Sequence, residues 1–425
     1  MSHSSDADDV QGPFTGAGQH QWPAEMRYIS RQPIHNLRGR VHGYELLFQT
    51  SADGLTPTNG HHATRTILDN LVLFGYDRLT GGSSTFIRCT AEALTDQLVT
   101  ILPPSMTVLE IPQSVEVSSK LLDACRKLKF AGFRLALVDF TWDANQDALF
   151  DLVDYVKVDF TRDDAPGYER LRQRLKNTSV AMMADNVHSP EAFRHACAEE
   201  FQFFQGFYFC NLEPLRNAKV PANRLFHIEI LRQLFQDPLN LRELCPLVMH
   251  DASLVYRILR LVNSPICAIR QEVTSLQTAI IMLGEKTFRR ITTLAIQCEF
   301  NAGQPPEILH MSLIRARFCE LAAHLRKLDP GEQYLLGMLS LLPAMLRVPM
   351  AALAPEFPLR PAIIEALLGA ETPERCLLSW IESLERCNFA DCYRIAGVFG
   401  LQHEELNQLY VEAAVWNRND SGLPA

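Results

Sequence analysis

Seven short apolar runs, each set apart by a stretch that suits a helix, constrain this chain more than any other feature of its sequence. The runs cover 43–48, 84–89, 106–111, 133–140, 155–160, 179–184 and 203–209. Between them lie helix-compatible stretches at 62–75, 91–99, 116–130, 145–151, 167–176 and 189–198. Several runs are apolar without alternation, as strands buried on both faces are. Strand–helix alternation predicts parallel strands joined by right-handed crossovers. Seven strands favour a closed barrel over an open sheet, and a barrel gathers polar residues at its strand ends into one site. Those ends are polar here: Glu45 in GYELLF, Glu110 in TVLEIP, Asp139 in LALVDF, Lys157 and Asp159 in YVKVDF, and Gln205 in FFQGFYF. Arg88 in TFIRCT and His188 in VHS take comparable places.

Near residue 211 the period changes. Residues 211–222, with Pro214 and Pro221, read as a linker, and nearly everything from 223 to 415 reads as helix. The spacing predicts helices at 223–236, 240–249, 251–262, 275–282, 284–297, 308–327, 331–347, 360–368, 375–388, 390–398 and 402–415. Leu254, Ile258 and Leu261 share a face, and Asp251 before ASLVYRILR suits an N-cap. The opening residues, 1–27, are rich in polar and small side chains and read as a disordered tail. The expected division is therefore a tail at 1–27, a barrel at 28–213, and a linker with an all-helical domain at 214–425.

A length of 425 residues accommodates that division. The formal charge of -9 gives no support for a nucleic-acid surface. No run of 18 apolar residues predicts a membrane span, and the N-terminus lacks the pattern of a signal peptide. The scattered cysteines form no CxxC or Cys/His finger spacing and read as reduced thiols of a cytoplasmic protein. Cys387 and Cys392 could meet on a helix, but an isolated pair is weak support for zinc.

Carboxylates at strand ends suit Mg²⁺ or Mn²⁺, and paired ions could activate water against a phosphate ester. Residues 28–213 resemble the EAL family of cyclic di-GMP phosphodiesterases, and RQPI (31–34) followed by GYELLF is close to the opening of its EAL–HDOD subgroup. The resemblance implies an α/β fold: an EAL-type, TIM-like barrel with a second, all-α HDOD domain. It puts the family's signature Glu on Glu45, its third-strand Glu on Glu110, its catalytic lysine on Lys157, and its strand-seven Gln on Gln205. Departures are as telling. Arg88 stands where the family has a metal-binding Asn. The paired aspartates of DDFG become Val138 and Asp139. The AEGVE-like segment reads ADNVH, with Asp185 and His188 for its two glutamates. Gln49 replaces the arginine of ExLxR.

Val138 offers no ligand, and Arg88 puts a permanent cation where an oxygen ligand would serve a metal. The expectation is that Arg88 pairs with the remaining carboxylates, that no catalytic residue, cofactor or metal operates, and that the barrel is a retained architecture. Gln49 keeps hydrogen bonding but loses the charge that would pair with phosphate. Cyclic di-GMP is accordingly expected to be disfavoured as a ligand.

HDASLVYRILRLVNSPICAI (250–269) and SLQTAIIMLG (275–284) resemble the HDOD domain at Asp251, Leu254, Leu259, Asn263, Ser264, Leu276, Ala279, Leu283 and Gly284. Such domains resemble catalytically empty relatives of HD-type phosphohydrolases. His250–Asp251 is a superficial His-Asp pair, and His310 and His324 stand alone in the sequence. Asp251, Asn263 and Ser264 are candidates for organising an HDOD interaction surface. The resulting expectation is a non-catalytic cytoplasmic signalling or scaffold protein of the EAL/HDOD (YuxH-like) kind. Its partner would be an unidentified signalling protein, with self-association left open and neither nucleic acid nor membrane involved. Two alternatives are a cyclic di-GMP receptor without hydrolysis and a weak residual phosphodiesterase.

Overall fold

The computed structural model describes residues 28–49, 80–141, 147–162, 165–210, 222–264, 267 and 273–420. The expected tail, the 62–75 helix and the 211–222 linker, with Ala222 excepted, lie outside the described residues. Strands β1 (Tyr28–Asn36), β2 (Val41–Gln49), β3 (Ser84–Arg88), β4 (Thr107–Pro112), β5 (Arg134–Val138), β6 (Tyr155–Asp159), β7 (Ala181–Asp185) and β8 (Phe203–Gln205) close into a barrel in chain order. From β2 to β8 each strand is parallel to the next.

One strand departs from the sequence expectation of a wholly parallel barrel. β1 is antiparallel to both β2 and β8. Its polar alternation and Pro33 hide it from an apolar-run reading. Proline is tolerated because β8 pairs only with Ile34–Asn36, so Pro33 stands just past that ladder. The tight β1–β2 connection is held by Asn36, whose Oδ1 accepts from the backbone amides of Arg38 and Arg40. Because β1 is reversed, its first residues lie at the same end of the barrel as the last residues of β2, Tyr28 opposite Gln49.

The helices of the barrel half are α1 (Ala91–Thr95), α2 (Ser119–Phe130), α3 (Asp147–Phe150), α4 (Ala165–Leu175) and α5 (Pro190–Ala198). Thr90, Ser118 and Ser189 cap α1, α2 and α5 through their side-chain oxygens. Outward strand residues such as Ile87, Leu109, Leu137, Val156 and Met182 join the helices in the main core. Inward residues Ile34, Phe86, Val108, Ala136, Val138, Tyr155 and Met183 fill the barrel itself. Burial on both faces explains the apolar runs.

The helical half continues with α6 (Ala222–Leu234), α7 (Leu241–Met249), α8 (Ala252–Val262), α9 (Leu276–Phe300), α10 (Pro306–Ala322) and α11 (Pro330–Leu339). It ends with α12 (Leu342–Leu346), α13 (Met350–Leu353), α14 (Pro361–Leu367), α15 (Cys376–Glu385), α16 (Phe389–Phe399) and α17 (His403–Asp420). α9 breaks at Gly284, which has φ 73° and ψ 164°, so the two helices expected from sequence meet at a kink there. The single helix expected at 331–347 is two, because Pro343 starts a new first turn. Gly337 lets α11 lie against α10: a Cβ there would stand 2.6 Å from the Arg315 backbone.

Both halves share one continuous apolar core. Polar contacts reinforce the junction. Tyr44 donates its hydroxyl to Glu307 (2.8 Å), and Arg31 stands 3.7 Å from the same carboxylate with its guanidinium over the Tyr44 ring. No single helix among the described residues is long and apolar enough to cross a membrane.

Candidate functional site: the barrel mouth

Side chains alternate along each strand, so the layer above the apolar barrel filling is set by register. Glu45, Glu110, Lys157, Asp185, Gln205 and the β1 residue Gln32 make up that layer. Lys157 is fully buried and central. Its Nζ donates to Glu45 Oε2 (2.7 Å) and Glu110 Oε1 (3.0 Å), and lies 3.9 Å from Asp185 Oδ2. Gln205 donates its Nε2 to Glu45 Oε2 (2.5 Å) and to Gln32 Oε1 (2.7 Å). Strand register thus brings together five of the sequence candidates and one residue, Gln32, that sequence reasoning missed.

The two glutamates are unequal. Burial opposes ionisation of Glu45, but the charges of Lys157 and Arg88 outweigh it and hold the carboxyl down at about 2. Glu110 is pushed up to about 8 by burial and by the Glu45 charge, against Lys157. Its surroundings therefore favour the protonated form. Its Oε2 has no hydrogen-bond partner among the described residues, and neither does Gln205 Oε1. Burial opposes the charge on Lys157, yet Glu110 and Glu45 raise its pKa, so it remains a cation. Asp185, a fifth exposed at its side chain, is raised by burial in spite of Lys157.

The rim narrows the expected role of Arg88 to one of the remaining carboxylates. Its guanidinium pairs with Asp139, at 3.1 and 3.3 Å, with both side chains nearly half exposed. Lys157, not Arg88, is the direct partner of Glu45 and Glu110. The reason is reach: Lys157 rises from the adjacent interior position, whereas Arg88 stands at the strand end beside Asp139. Its field still helps keep Glu45 ionised. Val138 sits wholly inside the apolar filling. Asp159 accepts from Thr161 and from Asn186 Nδ2 (3.1 Å), organising a rim loop. His188 Nδ1 accepts from the Phe207 amide (3.4 Å), and its ring stacks on Phe207. Its pKa is lowered by burial and by Arg386. Gln49 ends β2, and its side chain lies outside the described residues.

As arranged, these donors do not fit a hard divalent ion. Lys157 already holds the space between the two glutamates. Among the described residues, Glu110 Oε2 and Gln205 Oε1 are the buried oxygens of the cluster without a hydrogen-bond partner.

In the helical half, Asp251 accepts from the Leu254 amide (3.0 Å) as the N-cap of α8. His227, which sequence reasoning overlooked, reaches the other Asp251 oxygen at 2.8 Å. Asn263 clamps Val273, donating to its carbonyl (2.9 Å) and accepting from its amide (2.8 Å). Ser264 donates to the Leu261 carbonyl (2.6 Å). All three residues shape backbone locally. His310, solitary in sequence, stands 3.3 Å from Glu307 at the junction with the barrel.

Residues 221–354 match the HDOD domain family. The chain is 28% identical over 403 residues to YuxH of Bacillus subtilis strain 168, whose name records it as uncharacterised; the match spans 92% of this chain and 98% of the relative. It is 29% identical over 406 residues, 93% of each chain, to a Vibrio cholerae protein named cyclic di-GMP phosphodiesterase CdgJ. Among solved structures, the FimX EAL domain from Pseudomonas aeruginosa bound to c-di-GMP aligns at 20% identity with a TM-score of 0.34, over 44% of this chain and 89% of that one. Barrel and helical half together define an EAL-like fold joined to an HDOD domain. The chain matches the YuxH- and CdgJ-like proteins along nearly its whole length. That match overturns the expectation that cyclic di-GMP is disfavoured as a partner. The expectation leaned on the lost charge at Gln49, whereas Arg88 keeps a guanidinium at the same mouth.

Proposed function

We propose that this chain is a non-hydrolytic signalling protein of the cyclic di-GMP system, acting in the cytoplasm through contacts made by its HDOD half. The observation that carries this reading is Lys157, whose ammonium bonds both Glu45 and Glu110 and supplies the positive charge that the Glu45 carboxylate needs. Arg88 in place of a neutral ligand, and Val138 in place of an acid, support it. A barrel neutralised internally has no call for a metal, and phosphodiester hydrolysis without one lacks its source of hydroxide. The name of the Vibrio cholerae relative brings cyclic di-GMP to the mouth as a ligand to be bound. The free state of every cysteine suits a reducing compartment.

The test is incubation with cyclic di-GMP in Mg²⁺ and in Mn²⁺, followed by chromatography. No linear product is expected from the wild type. Linear product that vanishes in Glu45→Ala or Lys157→Ala would establish a phosphodiesterase instead, a reading favoured by Glu45, Glu110, Lys157 and Gln205 converging on one mouth. Calorimetry with the same nucleotide, on the wild type and Arg88→Ala, measures binding separately from turnover.

A further inference from the structure

The turn from α15 to α16, Leu384–Asn388, belongs to the helical half yet lies on the barrel mouth. Ser30, fully buried, donates its hydroxyl to the Leu384 carbonyl at 2.8 Å. Gln32 Nε2 reaches the Glu385 carbonyl at 3.5 Å. Both are inward-facing β1 residues, and both carbonyls are in the last turn of α15, the Leu384 carbonyl also accepting from the Cys387 amide (3.0 Å). Cys387 Sγ is 3.6 Å from Ser30 Oγ. Burial pushes the Cys387 thiol up to about 12, with the charges of Glu45 and Asp185 adding to that. Next to it, Arg386 acts electrostatically on His188 across the mouth.

The turn is anchored on both sides. Behind it, the Glu385 carboxylate accepts from Arg315 of α10 at 2.6, 3.0 and 3.1 Å. In front, Gln32 Oε1 accepts from Gln205, which also donates to Glu45, the partner of Lys157. Contacts therefore run without a gap from Lys157 through Glu45, Gln205 and Gln32 to Glu385 and Arg315. Gln205 spends both N–H groups of its amide on this link, one on Glu45 and one on Gln32, while its buried oxygen has no partner among the described residues.

We propose that the 384–388 turn is a latch on the barrel mouth, docked while Gln205 holds Gln32 and released when a cyclic dinucleotide in the mouth takes Gln205 for itself. The inference rests on the nucleotide-binding reading above and adds its regulation. Release would free the α15–α16 end, turning occupancy of the barrel into a change in the helical half.

Cys387 is the reporter. On release its partly buried thiol gains contact with water and an ordinary acidity, so it reacts faster with an alkylating reagent. Alkylation is followed at each cysteine by peptide mass spectrometry in the full-length protein. Gln205→Ala and Gln32→Ala are expected to speed labelling of Cys387 about tenfold, as a local opening would, while buried Cys89 and Cys125 stay slow and certify an intact barrel. Cyclic di-GMP added to the wild type is expected to do the same. Unchanged Cys387 labelling in both variants overturns the latch. If the variants respond but the nucleotide does not, calorimetry separates the two failures: binding without faster labelling overturns release by the ligand, and no binding overturns the nucleotide reading.

Discussion

Replacing Lys157 with methionine is the sharpest perturbation of this site. Methionine keeps most of the side-chain volume, so little cavity is made. What disappears is the ammonium 2.7 Å from Glu45 and 3.0 Å from Glu110. Removing one member of a buried ion pair and leaving the other costs about 3–5 kcal/mol. The sign of the pH dependence adds a second handle. In the wild type, the lowered pKa of Glu45 contributes stability that is present above its unfolded value and lost as pH falls from 4.5 through about 2. Without Lys157, burial governs and the Glu45 pKa rises, so the carboxyl favours the folded state only when protonated. The deficit of Lys157→Met is therefore greatest at neutral pH and shrinks toward pH 4. Urea unfolding at pH 4.5 and 7.5, followed by near-ultraviolet circular dichroism, reads both effects. The midpoint at pH 7.5 should drop by on the order of 1 M at an ordinary slope. A loss under about 1 kcal/mol at pH 7.5, or a deficit independent of pH, would refute the assignment of Lys157 as the internal countercharge.

Glu110→Gln removes a group whose folded pKa is raised from 4.5 to about 8; the stability it contributes is present below the lower value and lost as pH rises through the upper. Thermal midpoints of the variant should fall less between pH 5 and 8 than those of the wild type, and parallel curves would count against a protonated Glu110. Glu307→Gln strips the shared acceptor from Tyr44, Arg31 and His310, and should cost about 2–4 kcal/mol in denaturant at pH 7. Because the Glu307 pKa is held down at about 2, its contribution is lost as pH falls from 4.5 through that value, so the variant and wild type should converge in acid; a constant gap would argue otherwise. Asn263→Ala releases both bonds to Val273 and should cost about 1–3 kcal/mol, with faster hydrogen exchange at the Val273 amide. Unaltered exchange there would deny the clamp.

What could be read from sequence was local. Glu45, Glu110, Lys157 and Gln205 are the polar residues of otherwise apolar strand runs, and parallel strands carry such residues to one layer without further information. Asp251 caps a helix where the pattern puts it, through a bond to the amide three residues on. Gly284 marks the break of α9 because a left-handed position suits glycine. What escaped depends on partners far away along the chain. Ser30 meets Leu384, and Tyr44 meets Glu307, across separations of 354 and 263 residues. β1 went unrecognised because it is reversed, carries Pro33, and alternates between the barrel filling and the polar junction. Arg88 was open to several carboxylates in the sequence, and strand register, not residue type, decides that Asp139 is the one it meets. The interior cation was in plain sight as Lys157, but its three-way contact exists only once β2, β4 and β6 lie around a closed ring.

The docked end of α15 also has an electrical consequence. Its ten residues align their peptide dipoles, leaving roughly half a negative charge at the carboxyl end that Ser30 and Gln32 meet. An anion approaching the mouth therefore meets a repulsive helix terminus, with Arg386 as the cation placed to cancel it. Swinging that terminus aside removes the repulsion, so phosphate charge itself would push the equilibrium toward the open arrangement. Raising the salt concentration, which screens such a field, would weaken that push.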